Sequence, residues 1–334
     1  MKYLVKNGSL FLLSFFFFLF SNYAYSQTEL SGFFDAVGVA NFLDTKESKF
    51  LINQFELDFS YAHESNFSVG SAIAYNNETE NIELAMAFIH YSFDDGQGKH
   101  PRRVETYDHS AFLLGKFDMP FGLDYLSYAS VDRPTVTQPL VIEKTIGGWN
   151  DIGVDFHLFK NNFKFDVWAV NGFNDGVGLG GNIRYQLFPF FEMGVSHSAD
   201  VNSFNNVNDW LSGIDFRVDT EILEIKSEFL WTKGVYEGAP DTVLNNKIHH
   251  GGYFQLLTKL EKWTSLPLSL TFRFGGWECS DTTNNNVDET EQRYTTAIAY
   301  KLHNNLAIRM EVSTNRYNNT KTETLGFLQI VVGF

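Results

Sequence analysis

The chain has 334 residues, a formal net charge of −15, one cysteine, and 16% aromatic residues. The negative charge argues against a nucleic-acid partner, which would require the opposite sign. A single cysteine, Cys279, excludes an intramolecular disulfide.

The N-terminus has the pattern of a secretory signal peptide. Lys2 and Lys6 precede a short apolar run over 10–20, and the small residues Ala24 and Ser26 follow it. We predict a signal peptide over 1–26 that is removed after Ser26. An uncleaved anchor is the alternative, but the run is shorter than the roughly 20 residues of a spanning helix. The mature chain, 27–334, would be a single domain.

Segments of about ten residues with alternating apolar and polar side chains recur through 27–334. In one of them, the alternation places Ile82, Leu84, Met86 and Phe88 on the apolar face. A soluble sandwich also alternates, but small and charged residues on the polar face suit a wet lumen, and short links alternate with longer ones. We therefore predict an all-β fold, a transmembrane antiparallel β-barrel of about sixteen strands: 29–42, 50–63, 66–76, 81–93, 110–119, 149–160, 162–172, 178–188, 190–199, 209–220, 223–233, 249–261, 266–278, 292–302, 306–316 and 323–334.

The last predicted strand is apolar to its end. Leu328, Ile330, Val332 and Phe334 share one face. We expect lipid to cover that face and the strand to close against the first one. One link departs from the pattern, because 93–109 is long and charged where a short turn is expected. Either the strand count slips there or the barrel has an unusual inner loop.

The longest stretch without strand alternation is 120–148, which follows the fifth predicted strand and would be the third outer loop. In a barrel of this size the lumen is an aqueous channel. We expect this partly apolar loop to fold inward and narrow the lumen. A surface loop or an extra hairpin is the alternative.

Three stretches carry a resemblance to a known family: GKFDMPFGLDYLSYA from Gly115, DRP from Asp132, and WNDIGVDFHLF with FDVWAVNG from Trp149 to Gly172. They resemble the phosphate-selective porin O and P family. The resemblance implies a sixteen-stranded porin in the outer membrane of a Gram-negative bacterium. It also implies a homotrimer, an inward third loop and a basic lumen that guides anions. The 93–109 insert and the charge balance depart from that pattern.

The predicted lumen face carries both signs of charge. Its cations are Lys164, Arg184, Arg217, Lys226, Arg273, Arg293, Lys301 and Arg309. Its acids are Glu56, Asp58, Glu83, Asp151, Asp155, Asp166, Glu192, Asp215, Asp219, Glu224, Glu228 and Glu311. This balance does not favour an anion filter, and each charge is most simply a structural ion pair across strands. On the loop, we predict Arg133 and Lys144 at the pore constriction, with Asp132 and Glu143 as counter-charges.

The leading functional hypothesis is a passive diffusion channel for small hydrophilic solutes or ions, including anions such as phosphate, surrounded by outer-membrane lipid. The alternative is a non-channel barrel that acts in adhesion or structure through its loops. An enzyme is not predicted, because His197 points away from its neighbours Ser196 and Ser198 on one strand. No cofactor or metal site is predicted either, since His249 and His250 face opposite sides.

Overall fold

The computed structural model describes 27–42, 48–63, 66–76, 81–93, 108–127, 129–172, 176–201, 209–234, 247–281, 287–318 and 321–334. The predicted signal peptide, 1–26, lies outside the described residues, and so does 94–107 within the charged link.

Sixteen antiparallel strands form a closed barrel in which each strand pairs with the next and the last pairs with the first. This confirms the predicted fold class and strand count. The strands are β1 Gln27–Asn41, β2 Lys49–His63, β3 Phe67–Asn76, β4 Asn81–Ser92, β5 His109–Asp118, β6 Asn150–Lys160, β7 Phe163–Asn171, β8 Val177–Phe188, β9 Phe191–Asp200, β10 Trp210–Asp219, β11 Leu223–Lys233, β12 Lys247–Lys259, β13 Leu268–Asp281, β14 Val287–His303, β15 Leu306–Tyr317 and β16 Lys321–Gly333.

The two faces of the barrel wall differ in polarity because side chains alternate along each strand. On β16, Leu328 and Ile330 are exposed on the outside, whereas Gln329 is fully buried on the inside. The β1–β16 seam continues to Phe334, whose backbone N–H donates to the Gly32 carbonyl at 2.9 Å and whose carbonyl accepts from the Gly32 N–H at 3.0 Å. Pairing across this seam removes both free strand edges.

A β-bulge in β4 changes which side chains face inward. Ala72 pairs with Met86 and Ile73 pairs with Leu84, so Ala85 is an extra residue. Ile82 and Leu84 are exposed on the outside as expected, but Met86 and Phe88 are buried inside the barrel. The expectation of one outward face for all four was wrong, because an extra residue reverses the alternation beyond it.

Strands β6 and β7, β8 and β9, and β14 and β15 are each joined by two residues. We call this end of the barrel the short-turn end. The long charged link also belongs there, because β4 pairs directly with β5, as in Ala87 with Lys116. The strand count therefore does not slip at this link.

Helical structure is short. Loop 3, which we define as 120–148, contains α1 Leu140–Thr145, and the β12–β13 turn contains α2 Glu261–Thr264. Neither helix, nor any other in the described parts of the chain, is long and apolar enough to cross a membrane. Leu140, Val141 and Ile142 of α1 are buried in one apolar cluster with inward-facing wall residues that include Trp277. Burial of one such side chain contributes about 1.5–3 kcal/mol.

Candidate functional site: the lumen and loop 3

Loop 3 enters the lumen through a turn that requires glycine. Gly122 has a φ of +68°, and a Cβ at this position would lie 1.7 Å from Glu228 Oε1 on β11. Its N–H donates to Ser196 Oγ at 3.0 Å, and its carbonyl accepts from Arg184 Nη2 at 2.9 Å. The turn is thus fixed to β8 and β9 by its own backbone.

Arg273 and Glu311 hold the middle of loop 3. The Arg273 guanidinium donates to the Thr137 and Gln138 carbonyls at 2.9 and 3.0 Å. The Glu311 carboxylate accepts the Val136 N–H at 2.6 Å. One wall cation and one wall anion therefore satisfy backbone groups that no strand pairs, as buried polar groups require.

Arg309 holds the part of loop 3 nearest the short-turn end. It donates to the carbonyls of Ser130 and Val131 at 2.7 and 3.1 Å. The Ser130 N–H donates to Gln54 Oε1 on β2 at 3.0 Å. Because β2 and β9 lie on nearly opposite sides of a sixteen-stranded barrel, loop 3 crosses the lumen and contacts both walls.

The predicted constriction residues have different surroundings. Glu143 accepts from Arg293 Nη1 at 2.5 Å, and Lys144 Nζ lies 3.1 Å from Glu291. Arg133 is buried between loop 3 and the wall, where its Nη2 is 3.5 Å from Gln54 Oε1, whereas Asp132 is exposed. Loop 3 is therefore held partly by its own charged side chains.

Two carboxylates of loop 3, Asp124 and Glu143, have pKa shifts in opposite directions. Burial raises the pKa of Asp124 above its ordinary value, although Lys226 and Arg273 oppose the shift. Burial alone would raise the pKa of Glu143 too, but the charge and hydrogen bonds of Arg293 lower it below its ordinary value. Ionised Glu143 is therefore stabilised by its partner, whereas ionised Asp124 is disfavoured where it lies.

A cavity of about 700 Å³ lies between loop 3 and the turns of the short-turn end. Its acidic lining residues are Asp132, Glu221, Glu224 and Glu261. Its basic lining residues are more numerous: Arg133, Arg217, Lys226, Lys259, Lys262, Lys301 and Arg309. We call it the basic cavity. Cations exceed carboxylates in this lining although the chain as a whole is acidic.

Three of the predicted lumen cations, Arg217, Lys164 and Arg184, form local pairs. Arg217 Nη2 contacts Asp219 at 2.7 Å and Glu224 at 3.1 Å, while Lys164 Nζ lies 3.8 Å from Glu192. Arg184 makes a bidentate contact with Asp215 at 2.8 and 3.1 Å.

Two further predicted lumen residues lie on β6. Asp151 is half-buried near its start, where it accepts the Ile152 N–H at 2.7 Å. Asp155, four residues later, is buried inside the barrel and contacts His157 at 3.3 Å.

Sequence reasoning placed Arg184, Arg273, Arg293 and Arg309 on the lumen face but did not identify their partners. All four contact loop 3. It also did not identify Glu311 and Gln54, both on polar strand faces, as loop-binding residues. The only available signal was the lack of strand partners for the polar backbone of a long loop, which predicts that wall side chains must supply them.

The geometry next to Ser196 does not assemble a nucleophile and base. Ser196 is buried and accepts from Gly122 and Asn182, whereas the exposed His197 contacts Ser212 at 2.8 Å. The two side chains lie on opposite faces of β9, as the alternation predicts.

The sequence matches no family model and no curated protein. Solved structures do match. OmpT, an outer membrane protein of Vibrio cholerae, has a TM-score of 0.65 at 8% identity, covering 94% of this chain and 99% of that one. Salmonella typhi OmpF, solved in complex with daunomycin, has a TM-score of 0.64 at 12% identity, covering 92% and 97%. Pseudomonas putida OprB has a TM-score of 0.61 at 10% identity, covering 92% and 94%. The chain therefore has the fold of outer-membrane β-barrels.

Proposed function

We propose that the protein is an outer-membrane porin, a passive channel for small hydrophilic solutes, in which loop 3 sets the constriction. The observation that carries this proposal is loop 3 itself, which crosses the lumen and is bound to β2 through Gln54 and to β9 through Ser196. Because loop 3 is held on both walls, any path beside it would have a fixed shape, and a fixed constriction is what selectivity by size requires.

The basic cavity supports a finer proposal, that small anions including inorganic phosphate are favoured. Short turns lie on the periplasmic side of such barrels, so this cavity would be the inner vestibule. Its excess of cations would raise the local concentration of anions. This differs from the charge balance of the whole predicted lumen face, which does not favour an anion filter, and it is consistent with the resemblance to phosphate-selective porins.

The test is single-channel conductance in a planar bilayer under a salt gradient, before and after adding phosphate. We expect discrete openings, a reversal potential of the sign for anion preference, and a lower chloride current when phosphate is present. Lys301→Glu, in the basic cavity, should lower the anion-to-cation permeability ratio about threefold after screening by salt.

Lys321→Glu is the matched control, because Lys321 begins β16 at the far end of the barrel and is exposed. It should leave the ratio unchanged. Equal effects of the two substitutions would contradict the assignment of selectivity to the basic cavity while leaving the channel itself intact.

A barrel that does not conduct, and acts through its outer links, is the second candidate. The close packing of α1 against the wall favours it, since Leu140, Val141 and Ile142 are essentially inaccessible. Absence of conductance from correctly folded protein would support this candidate and contradict the channel.

A further inference from the structure

A separate cluster of metal-binding residue types lies inside the barrel on β6 and β7. Asp155 and His157 alternate on β6, so both face inward, and Asp166 on β7 pairs directly with His157. The exposed fractions of the three residues are 3%, 8% and 8%. One ligand atom from each lies within 4.8 Å of the others. We call this group the aspartate–histidine cluster.

The carboxylates of the cluster are only partly balanced by nearby cations, because Lys164 and Arg184 attract Asp166 from beyond ion-pair distance. Asp155 Oδ2 lies 3.3 Å from His157 Nδ1, but Asp155 Oδ1 is buried without a hydrogen-bond partner among the described residues. In the same described set, no lysine or arginine lies within ion-pair distance of Asp166. Buried carboxylates are expensive unless they are paired, protonated or bound to a metal ion.

The donor set indicates which ion would fit. One imidazole nitrogen and two carboxylate oxygens are ligands of zinc and related first-row divalent metals, whereas calcium takes six to eight oxygens. Two ligands of one zinc ion, each about 2.0–2.2 Å from it, lie at most about 4.4 Å apart. Small side-chain rotations would therefore bring the three ligand atoms to one ion.

Further imidazoles surround His157. Its ring centroid lies 5.4 Å from that of His90 on β4 and 5.2 Å from that of His109 on β5. Both histidines are buried. They place additional nitrogen donors beside the cluster and exclude bulk water from it.

We propose that Asp155, His157 and Asp166 form a binding site for one divalent transition-metal ion of the zinc type in the wall of the lumen. This departs from the sequence-based prediction of no metal site, which considered histidines adjacent in sequence and not residues brought together by strand pairing. The proposal does not depend on solute passage, because the site lies in the wall and not in loop 3.

The test uses the full mature chain, folded in detergent and freed of metal by dialysis against a chelator. Titration with Co²⁺, followed by its visible absorption, should show saturation at one ion per chain, and Zn²⁺ should displace it. Asp155→Asn and His157→Gln should each weaken binding at least about tenfold, because each removes a ligand. His249→Gln is the matched control, since His249 is a buried inward-facing histidine on β12, and it should bind as the unchanged protein does.

Saturable binding that is lost in both cluster variants and kept in the control supports the site. Equal binding by Asp155→Asn and the unchanged protein would overturn it, as would the absence of a Co²⁺ spectrum in folded protein. If a cluster variant fails to fold, thermal unfolding of the unchanged protein still tests the proposal. Zn²⁺, and not Ca²⁺, should raise its thermal unfolding midpoint, and no difference between the two ions would overturn the proposal.

Discussion

At the scale of single residues, the lumen is organised by side chains that bind backbone. The main partners of Arg273, Arg309 and Glu311 are not charged residues on neighbouring strands. They are backbone carbonyl and N–H groups of loop 3. A buried hydrogen bond to a charged group contributes about 1.5–3 kcal/mol. These contacts therefore fix loop 3 more firmly than exposed ion pairs would, since those contribute about 0–1 kcal/mol.

Gly122→Ala should loosen loop 3. The new methyl group would meet the Glu228 carboxylate, and alanine is strained at a φ of +68°, so we expect a loss of about 2–3 kcal/mol. The measurement is the thermal unfolding midpoint followed by tryptophan fluorescence. Gly148→Ala separates the two causes, because Gly148 has a φ of +135° but nothing within 4 Å of a Cβ. It should lose only about 1 kcal/mol, and equal losses would contradict the steric role of Glu228.

At the scale of elements, loop 3 is a segment inside the barrel that is bound to the wall along much of its length. Its inward course, expected from its length and partly apolar sequence, agrees with the contacts to both walls. Its exact position on the wall could not be predicted, because the partners of a loop residue lie far along the chain. Val136 and its partner Glu311, for example, are 175 residues apart. Likewise the alternation in β4 predicted Ile82 and Leu84 correctly and failed beyond Ala85, since a bulge is decided by pairing with β3 and leaves no periodic signal.

The packing of α1 against the barrel wall should depend on pH through Glu143. Because the pKa of Glu143 is lowered by Arg293, its contribution is fully present above its ordinary pKa of about 4.3 and is lost as pH falls from there through the lowered pKa. The rate of hydrogen exchange at the backbone amides of 140–145 measures how stably α1 is packed. At pH 6 we expect Glu143→Gln to exchange roughly two- to fivefold faster than the unchanged protein, and the two should converge once pH falls below the lowered pKa of Glu143.

Glu221→Gln is the comparison for this experiment. The pKa of Glu221 is also lowered, by a hydrogen bond from Lys262, but this pair lies in exposed turns outside loop 3. Exchange at 140–145 should not change in this variant. A difference between Glu143→Gln and the unchanged protein that does not shrink as pH falls below about 4.3 towards acid unfolding would show that the ion pair with Arg293 is not the cause.

At the scale of the whole molecule, strand order and inner and outer faces were predictable because a barrel repeats one pattern sixteen times. The basic cavity and the aspartate–histidine cluster could not be predicted from the sequence, since both depend on which strands become neighbours. Asp155 and His157 were visible as an alternating pair, but Asp166 joins them only through the β6–β7 register.

Closure of the barrel should depend on Gly32. A Cβ there would lie 2.3 Å from the Glu56 carbonyl oxygen and 2.9 Å from the Phe334 ring. Gly32→Leu should therefore weaken the β1–β16 seam by about 3 kcal/mol, seen as a lower temperature for conversion from the compact to the unfolded form on gel electrophoresis. Gly276→Leu is the control, because the nearest atom to its Cβ would be 4.0 Å away. It should convert near the temperature of the unchanged protein.

The contacts of loop 3 also impose an order on assembly. Loop 3 lies between β5 and β6, but Arg273, Arg309 and Glu311, which bind it, belong to β13 and β15. Until those late strands are in place, the backbone of 130–138 lacks most of its partners, although Gly122 can already bind β8 and β9, and closing such long segments is slow. We therefore expect the middle of loop 3 to reach its final position only after β13 and β15 have joined the wall, which makes the final width of the lumen a late product of folding.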